Sequence, residues 1–189
     1  MTGPAHSVPM SPTLLVVSGL PAAGKTTLAA PLARALGWPL VTKDDYKGLL
    51  YAHLPELPQA QGGPLSFALM FHVAGMVLSA GGSAVLETHF HRGISEPEIL
   101  ALAGASGARL CQIFCEAPLA TLRTRHAARV AAGERPGIDL PFDHADLPPH
   151  AGWSPLDLGA PLLRLDTTRA QEETVAQAQL WLLSVAARA

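Results

Sequence analysis

Cysteine is scarce in this chain, whose 189 residues include only two, Cys111 and Cys115. Two cysteines cannot build the disulfide framework that is typical of small secreted proteins. A reducing compartment therefore fits the composition, and we expect the protein to be cytoplasmic.

Charge is also scarce: 15% of the residues are charged, against about a quarter in average globular domains. Because hydrophobic residues reach 49%, the composition excludes an intrinsically disordered chain, which combines low hydrophobicity with high charge. With a formal net charge of −2, the chain lacks the strongly basic charge of duplex nucleic-acid binders. We therefore expect no nucleic-acid partner. The length suits one globular domain, since domains have roughly 100–200 residues.

Targeting and membrane signals are weak. Residues 1–12 contain no lysine or arginine and no apolar core, so they do not fit a signal peptide. We expect a flexible N-terminal lead-in over 1–12 and a single domain over 13–189. The apolar stretch Leu65–Ala80 is shorter than the roughly 20 residues that cross a bilayer. We expect a buried core helix there and no membrane association, with a homodimer interface as the alternative for the same helix.

Short apolar runs and helical spacing alternate along the chain. The runs predict five strands: 14–18, 39–42, 83–86, 109–114 and 162–165. Helical periodicity predicts six helices: 25–36, 45–53, 65–80, 95–103, 118–132 and 168–187. The fourth and the sixth begin with capping-box spacing, Ser95–Glu98 and Thr168–Gln171, so Ser95 and Thr168 are predicted caps. Proline and glycine predict a short loop over 55–63 and a long loop or lid over 133–161. This alternation predicts an α/β protein with a parallel sheet and right-handed crossovers.

The strongest motif is GxxxxGKT at Gly19–Thr26, between a predicted strand and a predicted helix. Its glycines let backbone N–H groups face inward, and the helix N-terminus adds partial positive charge, so the loop suits phosphate oxygens. Lys25 is predicted to bridge the β- and γ-phosphates, and Thr26 to ligate Mg²⁺. The predicted nucleotide-binding residues of the loop are Gly19, Ala22, Ala23, Gly24, Lys25, Thr26 and Thr27.

A second polar segment, Thr42–Lys47, follows the second predicted strand. The carboxyl ends of parallel strands face the ligand crevice, so a carboxylate there lies beside the transferring phosphate. Such a carboxylate can accept the proton of an acceptor hydroxyl and align its oxygen for attack. Of Asp44 and Asp45, we expect one to do this and the other to cap the next helix.

The sequence Gly-Leu-Pro-Ala-Ala-Gly-Lys-Thr-Thr-Leu-Ala, followed by Lys-Asp-Asp-Tyr-Lys, resembles the P-loop small kinases. That group includes chloramphenicol phosphotransferase, zeta-toxin-like kinases and the kinase domain of phage polynucleotide kinase. The resemblance implies a P-loop NTPase fold with five parallel strands in the order 2-3-1-4-5, flanked by helices, and a small lid over about 123–160. It implies ATP and Mg²⁺ as cofactors, Asp44 as the catalytic base, and Lys47 near the acceptor.

The resemblance also implies roles for residues that follow the third strand. Glu87 occupies the position where related kinases often have an aspartate that holds Mg²⁺. As a glutamate it is a tentative metal ligand, with acceptor binding and a salt bridge to an arginine as alternatives. Apart from the resemblance, His89 and His91 form a His-x-His pattern, but no second cluster completes a four-ligand zinc site. We therefore expect His89 to contact the acceptor, with an ordinary loop histidine as the alternative.

Arginines after the fourth strand resemble the lid of these kinases, where guanidinium groups neutralise charge on the transferring phosphoryl group. Arg125 and Arg129 are four residues apart and share a helix face, so we expect both to act in catalysis. Arg123 points elsewhere and is the alternate, with a predicted substrate contact. Thr167, after the fifth strand, is expected near the adenine.

These residues together predict an ATP-dependent kinase whose acceptor is a hydroxyl of a small molecule. An antibiotic such as chloramphenicol, a nucleoside and a sugar are all open as acceptors. One alternative is a polynucleotide 5′-hydroxyl kinase, which the acidic charge balance disfavours. The other is a nucleotide-binding regulatory ATPase with little turnover, which nothing in the sequence excludes.

Overall fold

A computed structural model describes residues 11–188. Within them the strands are β1 Thr13–Ser18, β2 Leu40–Thr42, β3 Ala84–Glu87, β4 Arg109–Glu116 and β5 Leu162–Asp166. The α-helices are α1 Lys25–Leu36, α2 Lys43–His53, α3 Gln59–Ser79, α4 Glu96–Ser106, α5 Leu119–Ala132 and α6 Gln171–Ala186. Of the predicted lead-in, residues 1–10 lie outside the described residues, and the carbonyl of Pro12 accepts a hydrogen bond from the Arg109 amide at 2.7 Å.

The sheet is parallel throughout and has the order β2-β3-β1-β4-β5. This confirms the predicted fold. The central strand β1 is apolar on both faces because helices cover both: Leu15 and Val17 belong to one core cluster, and Leu14 and Val16 to the other. Strands buried on both faces read as continuous rather than alternating apolar runs.

Helices cover the two faces of the sheet in separate groups. Helices α1 and α6 pack together on one face, where Leu28 and Leu32 of α1 are buried beside Leu182 of α6. Helices α3 and α4 pack on the other face, where Met70 and Ile99 are buried. The result is a three-layer α/β/α domain. Because the strands are parallel, their carboxyl ends all lie at the same edge of the sheet.

The prediction for α3 was wrong in its start. A loop was expected over 55–63, whereas α3 begins at Gln59 and runs through Gly62, Gly63 and Pro64. Packing on α2 explains the difference, because a Cβ on Gly62 would lie 2.4 Å from the Tyr51 hydroxyl. The glycine that suggested a loop is the residue that allows this close contact between helices.

The expectation that α3 is a buried core helix also needs correction. Its buried residues recur every fourth position and form one stripe: Gly62, Ser66, Met70, Ala74 and Leu78. Leu69 and Met76, which lie outside this stripe, are exposed. Among the described residues, α3 is the one helix long and apolar enough to cross a membrane by length and composition. It packs on α2, α4, β2 and β3, which accounts for its one buried stripe.

Three predicted helix caps are replaced by other contacts. Thr42, not an aspartate, caps α2, and its hydroxyl accepts from the Asp44 amide at 3.2 Å. Ser95 makes no cap bond, because its hydroxyl accepts from the His91 amide at 3.0 Å. Thr168 lies before α6, with its hydroxyl 2.7 Å from an oxygen of Asp166. The hydroxyls of Thr42, Ser95 and Thr168 thus form hydrogen bonds that the capping patterns in the sequence do not predict.

The region 133–161 has no helix or strand except a short 3₁₀ turn, His144–Asp146. It is nevertheless fastened to the domain. Gln112 of β4 exchanges two hydrogen bonds with the backbone of Leu156, at 3.1 and 2.8 Å. The buried His144 places Nε2 3.0 Å from the carbonyl oxygen of Pro21 in the phosphate loop. These contacts hold residues 133–161 against β4 and against the phosphate loop.

Candidate active site

The phosphate loop joins β1 to α1 in a conformation that only its glycines permit. Gly19 has φ 140°, and a Cβ there would lie 2.3 Å from the carbonyl oxygen of Cys115. Gly24 ends the loop at φ 79° and caps α1. Ala22 between them also has a positive φ, 63°. Residues that carry a Cβ rarely adopt such positive φ angles, so the flanking strand and helix must hold Ala22 in this conformation.

Lys25 is folded back into this loop. Its Nζ donates to the carbonyl oxygen of Leu20 at 2.9 Å, and its side chain is buried. Burial lowers the pKa of Lys25, and the nearby Glu87 carboxylate opposes that shift. The ammonium group is thus held at the floor of the loop, where a terminal phosphate would meet it.

Thr26 and Glu87 place two oxygen atoms that could bind a metal beside the loop. The register of the sheet sets Glu87 opposite Val17 on β1, and the Thr26 hydroxyl donates to Glu87 Oε2 at 3.0 Å. Burial raises the pKa of Glu87, while Lys25 opposes this shift. The salt bridge to an arginine that was the alternative for Glu87 is not found among residues 11–188.

These two oxygens fit Mg²⁺, which prefers hard oxygen ligands and usually keeps one or two protein ligands together with substrate phosphates and water. Within residues 11–188 no cluster of three or more His, Cys, Asp and Glu could hold a metal by itself. A metal at this place would therefore share its coordination with a bound phosphate.

Asp44 lies in the first turn of α2, at the end of β2. Its Oδ2 is 3.3 Å from Nη1 of Arg135, a residue of the long loop. Arg135 is in turn held by Asp139, which accepts from Nη2 at 2.8 Å and from Nε at 2.9 Å. Asp139 is 7% exposed and also pairs with Arg129 at 2.8 Å. The Asp139 carboxylate thus holds two guanidinium groups, and one of them, that of Arg135, contacts Asp44.

The three arginines predicted on α5 separate in the structure. Arg125 donates to the hydroxyl and the carbonyl oxygen of Thr167, at 3.1 and 2.7 Å. Arg129 pairs with Asp139. Arg123 forms a half-exposed pair with Asp143 at 2.7 Å and does not reach the cavity that the other two line.

A cavity of about 630 Å³ connects these groups. The predicted residues that line it are Ala22, Gly24, Lys25, Thr26, Thr27, Asp44, Lys47, Glu87, His89, Arg125, Arg129 and Thr167. Gly19 and Ala23 shape the loop behind its wall and do not line it. The structure thus brings most of the predicted site residues to one place.

His89 lines the cavity two residues after the end of β3. Its Nε2 is hydrogen-bonded to the carbonyl oxygen of Ala151. Burial lowers its pKa to about 4, so the ring is neutral at pH 7. A neutral imidazole whose Nε2–H donates has a lone pair on Nδ1, which can accept a hydrogen bond from a hydroxyl.

Three residues at or beside the cavity had been given no role from the sequence: Lys43, Arg135 and Asp139. The four-residue spacing of Arg135 and Asp139 was a weak signal for a pair between them. No local pattern shows that this pair reaches Asp44, because the contact spans 91 positions.

The loop between β1 and α1, set in a parallel sheet of order 2-3-1-4-5, defines the P-loop NTPase fold. A model of the AAA domain family matches residues 14–144. The chain belongs to this AAA domain family.

Solved structures agree with this assignment. A protein of Chloroflexus aurantiacus J-10-fl, named a "putative kinase", is 30% identical, with a TM-score of 0.79 over 92% of this chain and 97% of that one. The APS kinase CysC of Mycobacterium tuberculosis, in complex with AMPPNP and APS, is 20% identical, with a TM-score of 0.64 over 91% and 98%. A gluconokinase of Sinorhizobium meliloti 1021 is 19% identical, with a TM-score of 0.56 over 94% and 95%.

The last two similarities show the fold alone. A search of curated proteins gave no match. The similarity to P-loop kinases is thereby confirmed, while the chloramphenicol phosphotransferase branch stays a prediction.

Proposed function

We propose that this protein is an ATP-dependent kinase that transfers the γ-phosphate of ATP to a hydroxyl of a small molecule, with Mg²⁺ as cofactor. The observation that carries the proposal is that Asp44 lines the same cavity as Lys25 and Thr26. A carboxylate therefore faces the place where the phosphate loop would hold the terminal phosphate. The kinase name of the Chloroflexus aurantiacus protein, and the AMPPNP bound by the APS kinase, support this choice.

At the nucleotide end, the backbone amides of the loop and the Lys25 ammonium would bind the phosphates. Arg125 and Thr167, which are joined by two hydrogen bonds, line the same end. Thr26 and Glu87 would hold Mg²⁺, which supplies charge neutralisation across the phosphate oxygens when bound.

At the acceptor end, Asp44 would accept the proton of the attacking hydroxyl. The acceptor oxygen then forms a bond to the γ-phosphorus as the bond to the bridging oxygen of ADP breaks. The proton resides on Asp44 until solvent takes it. Asp44 is half-buried, so it can both meet a bound acceptor and exchange protons with water.

Arg135, which contacts Asp44, and Arg129, which lines the cavity, would stabilise the charge on the transferring group. Asp139 fixes both Arg129 and Arg135 through bonds of 2.8 Å. Because their guanidinium groups are already held, little ordering would be needed when the phosphoryl group passes between donor and acceptor.

A panel of hydroxyl acceptors with Mg²⁺-ATP tests the proposal, with ADP formation as the readout. The panel contains sugars, hydroxy acids, nucleosides, aminoglycosides and chloramphenicol. We expect one class to stimulate ADP formation in the wild type and in Asp157→Asn, an exposed carboxylate outside the cavity. We expect no stimulation in Lys25→Met. If the protein binds ATP but no acceptor raises ADP formation, the proposed kinase activity is contradicted.

A further inference from the structure

Lysine is used sparingly in this chain and only at one place. Of 13 cationic residues, three are lysines: Lys25, Lys43 and Lys47. All three line the same cavity. Lys25 belongs to the phosphate loop, which leaves Lys43 and Lys47 of α2 as cations at the acceptor end.

These two lysines lie one helical turn apart on α2, and both are half-buried. Among residues 11–188 every ion pair is formed by an arginine, and neither lysine has a carboxylate oxygen within 4.0 Å. Lys43 Nζ lies 5.2 Å from the ring centroid of Phe67, and Lys47 Nζ lies 5.4 Å from that of Tyr51. Aromatic faces orient an ammonium group but bring no opposite formal charge.

The carboxylates of the cavity already have partners. Asp44 faces Arg135 at 3.3 Å, and Asp139 is bound by two arginines. Glu87 accepts from Thr26 beside the phosphate loop. Neither ammonium group therefore has a directly paired carboxylate within 4.0 Å, although Asp44 partly offsets the charge of Lys43.

A half-buried cation without a counter-charge carries a desolvation cost, which a bound anion can offset. Burial lowers the pKa of Lys43, the neighbouring Asp44 opposes this shift, and Lys47 and Lys25 add to it. The rings behind the two ammonium groups hold them in place, so a ligand would meet a pre-formed pair of donors.

We propose that the acceptor is itself an anion: a small hydroxylated molecule whose carboxylate or phosphate group is bound by Lys43 and Lys47 while its hydroxyl faces Asp44. This inference rests on the proposed kinase function and deepens it. It excludes neutral sugars, neutral nucleosides and chloramphenicol as preferred acceptors.

Lysine footprinting tests the site without requiring turnover, because the chain has only three lysines to follow. The protein with Mg²⁺-AMPPNP is acetylated briefly, and each lysine is quantified by mass spectrometry. The nucleotide analogue should protect Lys25. Gluconate, glycerate or glucose 6-phosphate should then slow acetylation of Lys43 and Lys47 at least about fivefold, since a charge-assisted contact covers the amine. Glucose and glycerol, the matched neutral compounds, should not.

Kinetics with the same pairs then link the site to transfer. For the preferred anion, Lys47→Met should raise KM about tenfold or more, the loss typical of a hydrogen bond to a charged group. Lys47→Arg, which keeps the charge, should stay within about threefold. Thermal melts of both variants confirm that they fold.

The outcomes separate the two proposals. Equal protection by gluconate and glucose, or no protection of Lys47 by any anion, overturns the anionic acceptor. Faster transfer to a neutral acceptor than to any anion also overturns the anionic acceptor, but it supports the proposed kinase activity. Protection of Lys43 and Lys47 without transfer to any compound supports the anion site and contradicts the kinase.

Discussion

Asp44 and Arg135 form an ion pair, with Oδ2 and Nη1 3.3 Å apart, although the residues are 91 positions apart in the chain. The pair joins the end of β2 to the long loop that lies over the strand ends. Its geometry depends on a third residue, because Asp139 holds Arg135 from the other side with bonds of 2.8 and 2.9 Å. The proposed base is therefore positioned by the loop as well as by its own helix.

Asp139→Asn tests this arrangement. The substitution removes the negative charge shared by Arg129 and Arg135, so both guanidinium groups lose their fixed positions. We expect kcat to fall about tenfold to a hundredfold, the scale of a displacement near 1 Å at a reacting centre, while KM for ATP stays within about threefold. Steady-state kinetics with the acceptor that the panel identifies measure both.

Asp143→Asn is the matched control, because Asp143 also pairs with an arginine of α5 but lies outside the cavity and is half-exposed. We expect its kcat to stay within about twofold, since exposed ion pairs contribute little. Equal losses in the two variants would show that Asp139 acts through loop stability rather than through the arginines.

Gly19→Ala should be far more destabilising than Gly37→Ala. Both glycines have positive φ, at 140° and 66°, so both variants incur about 1–2 kcal/mol of backbone strain. A Cβ at position 19 would also meet the Cys115 carbonyl oxygen at 2.3 Å, whereas at position 37 nothing lies within 4 Å. The added crowding costs about 1–3 kcal/mol. Urea unfolding of both variants measures the difference, and equal costs would refute the loop geometry.

The stability of the protein should fall in mild acid partly through His89. Its pKa is lowered from 6.5 to about 4 by burial, so between these values the unfolded state binds more protons than the folded state. The free energy of unfolding therefore decreases as the pH falls from 6.5 through 4. The contribution is about 2–3 kcal/mol, reduced from the full shift because the ring is not wholly buried.

His89→Gln removes this contribution. The loss of unfolding free energy between pH 7.5 and pH 4.5 should be about 2 kcal/mol smaller in the variant than in the wild type. The matched control is His53→Gln, which replaces an exposed histidine at the end of α2. An identical pH dependence in His89→Gln and wild type would mean that His89 titrates normally.

The placement of α3 predicts opposite results for two of its methionines. Met70 is fully buried and Met76 is 61% exposed. Met70→Ala should cost about 2–5 kcal/mol of unfolding free energy, the range for emptying a core position. Met76→Ala should stay within about 0.5 kcal/mol. Chemical denaturation compares them, and a large loss at Met76 would show that its face is covered.

Local sequence signals were sufficient for the parts of the fold that local interactions determine. The apolar run of β1 and the helical spacing of α1 predicted both elements, because each buries residues at the period of its own geometry. The glycine-lysine loop between them predicted the phosphate site. The strand order followed from the resemblance to P-loop kinases and is confirmed by the sheet.

Tertiary contacts account for what the sequence could not show. Gly62 suggested a loop, but its contact with Tyr51 places it inside α3. Residues 133–161 have no periodicity, so nothing local indicates that Arg135 reaches Asp44. The spacing of α5 paired Arg125 with Arg129, and the structure directs them to Thr167 and Asp139 respectively.

The central claim is that Asp44 acts on the acceptor and not on the nucleotide. The most direct test is the rate of γ-phosphate transfer from labelled ATP to the acceptor at saturating ATP, in the wild type and in Asp44→Asn. The amide keeps the shape of the side chain but cannot take a proton, so transfer should fall at least about a hundredfold. A variant that transfers phosphate at a rate close to that of the wild type would contradict the account.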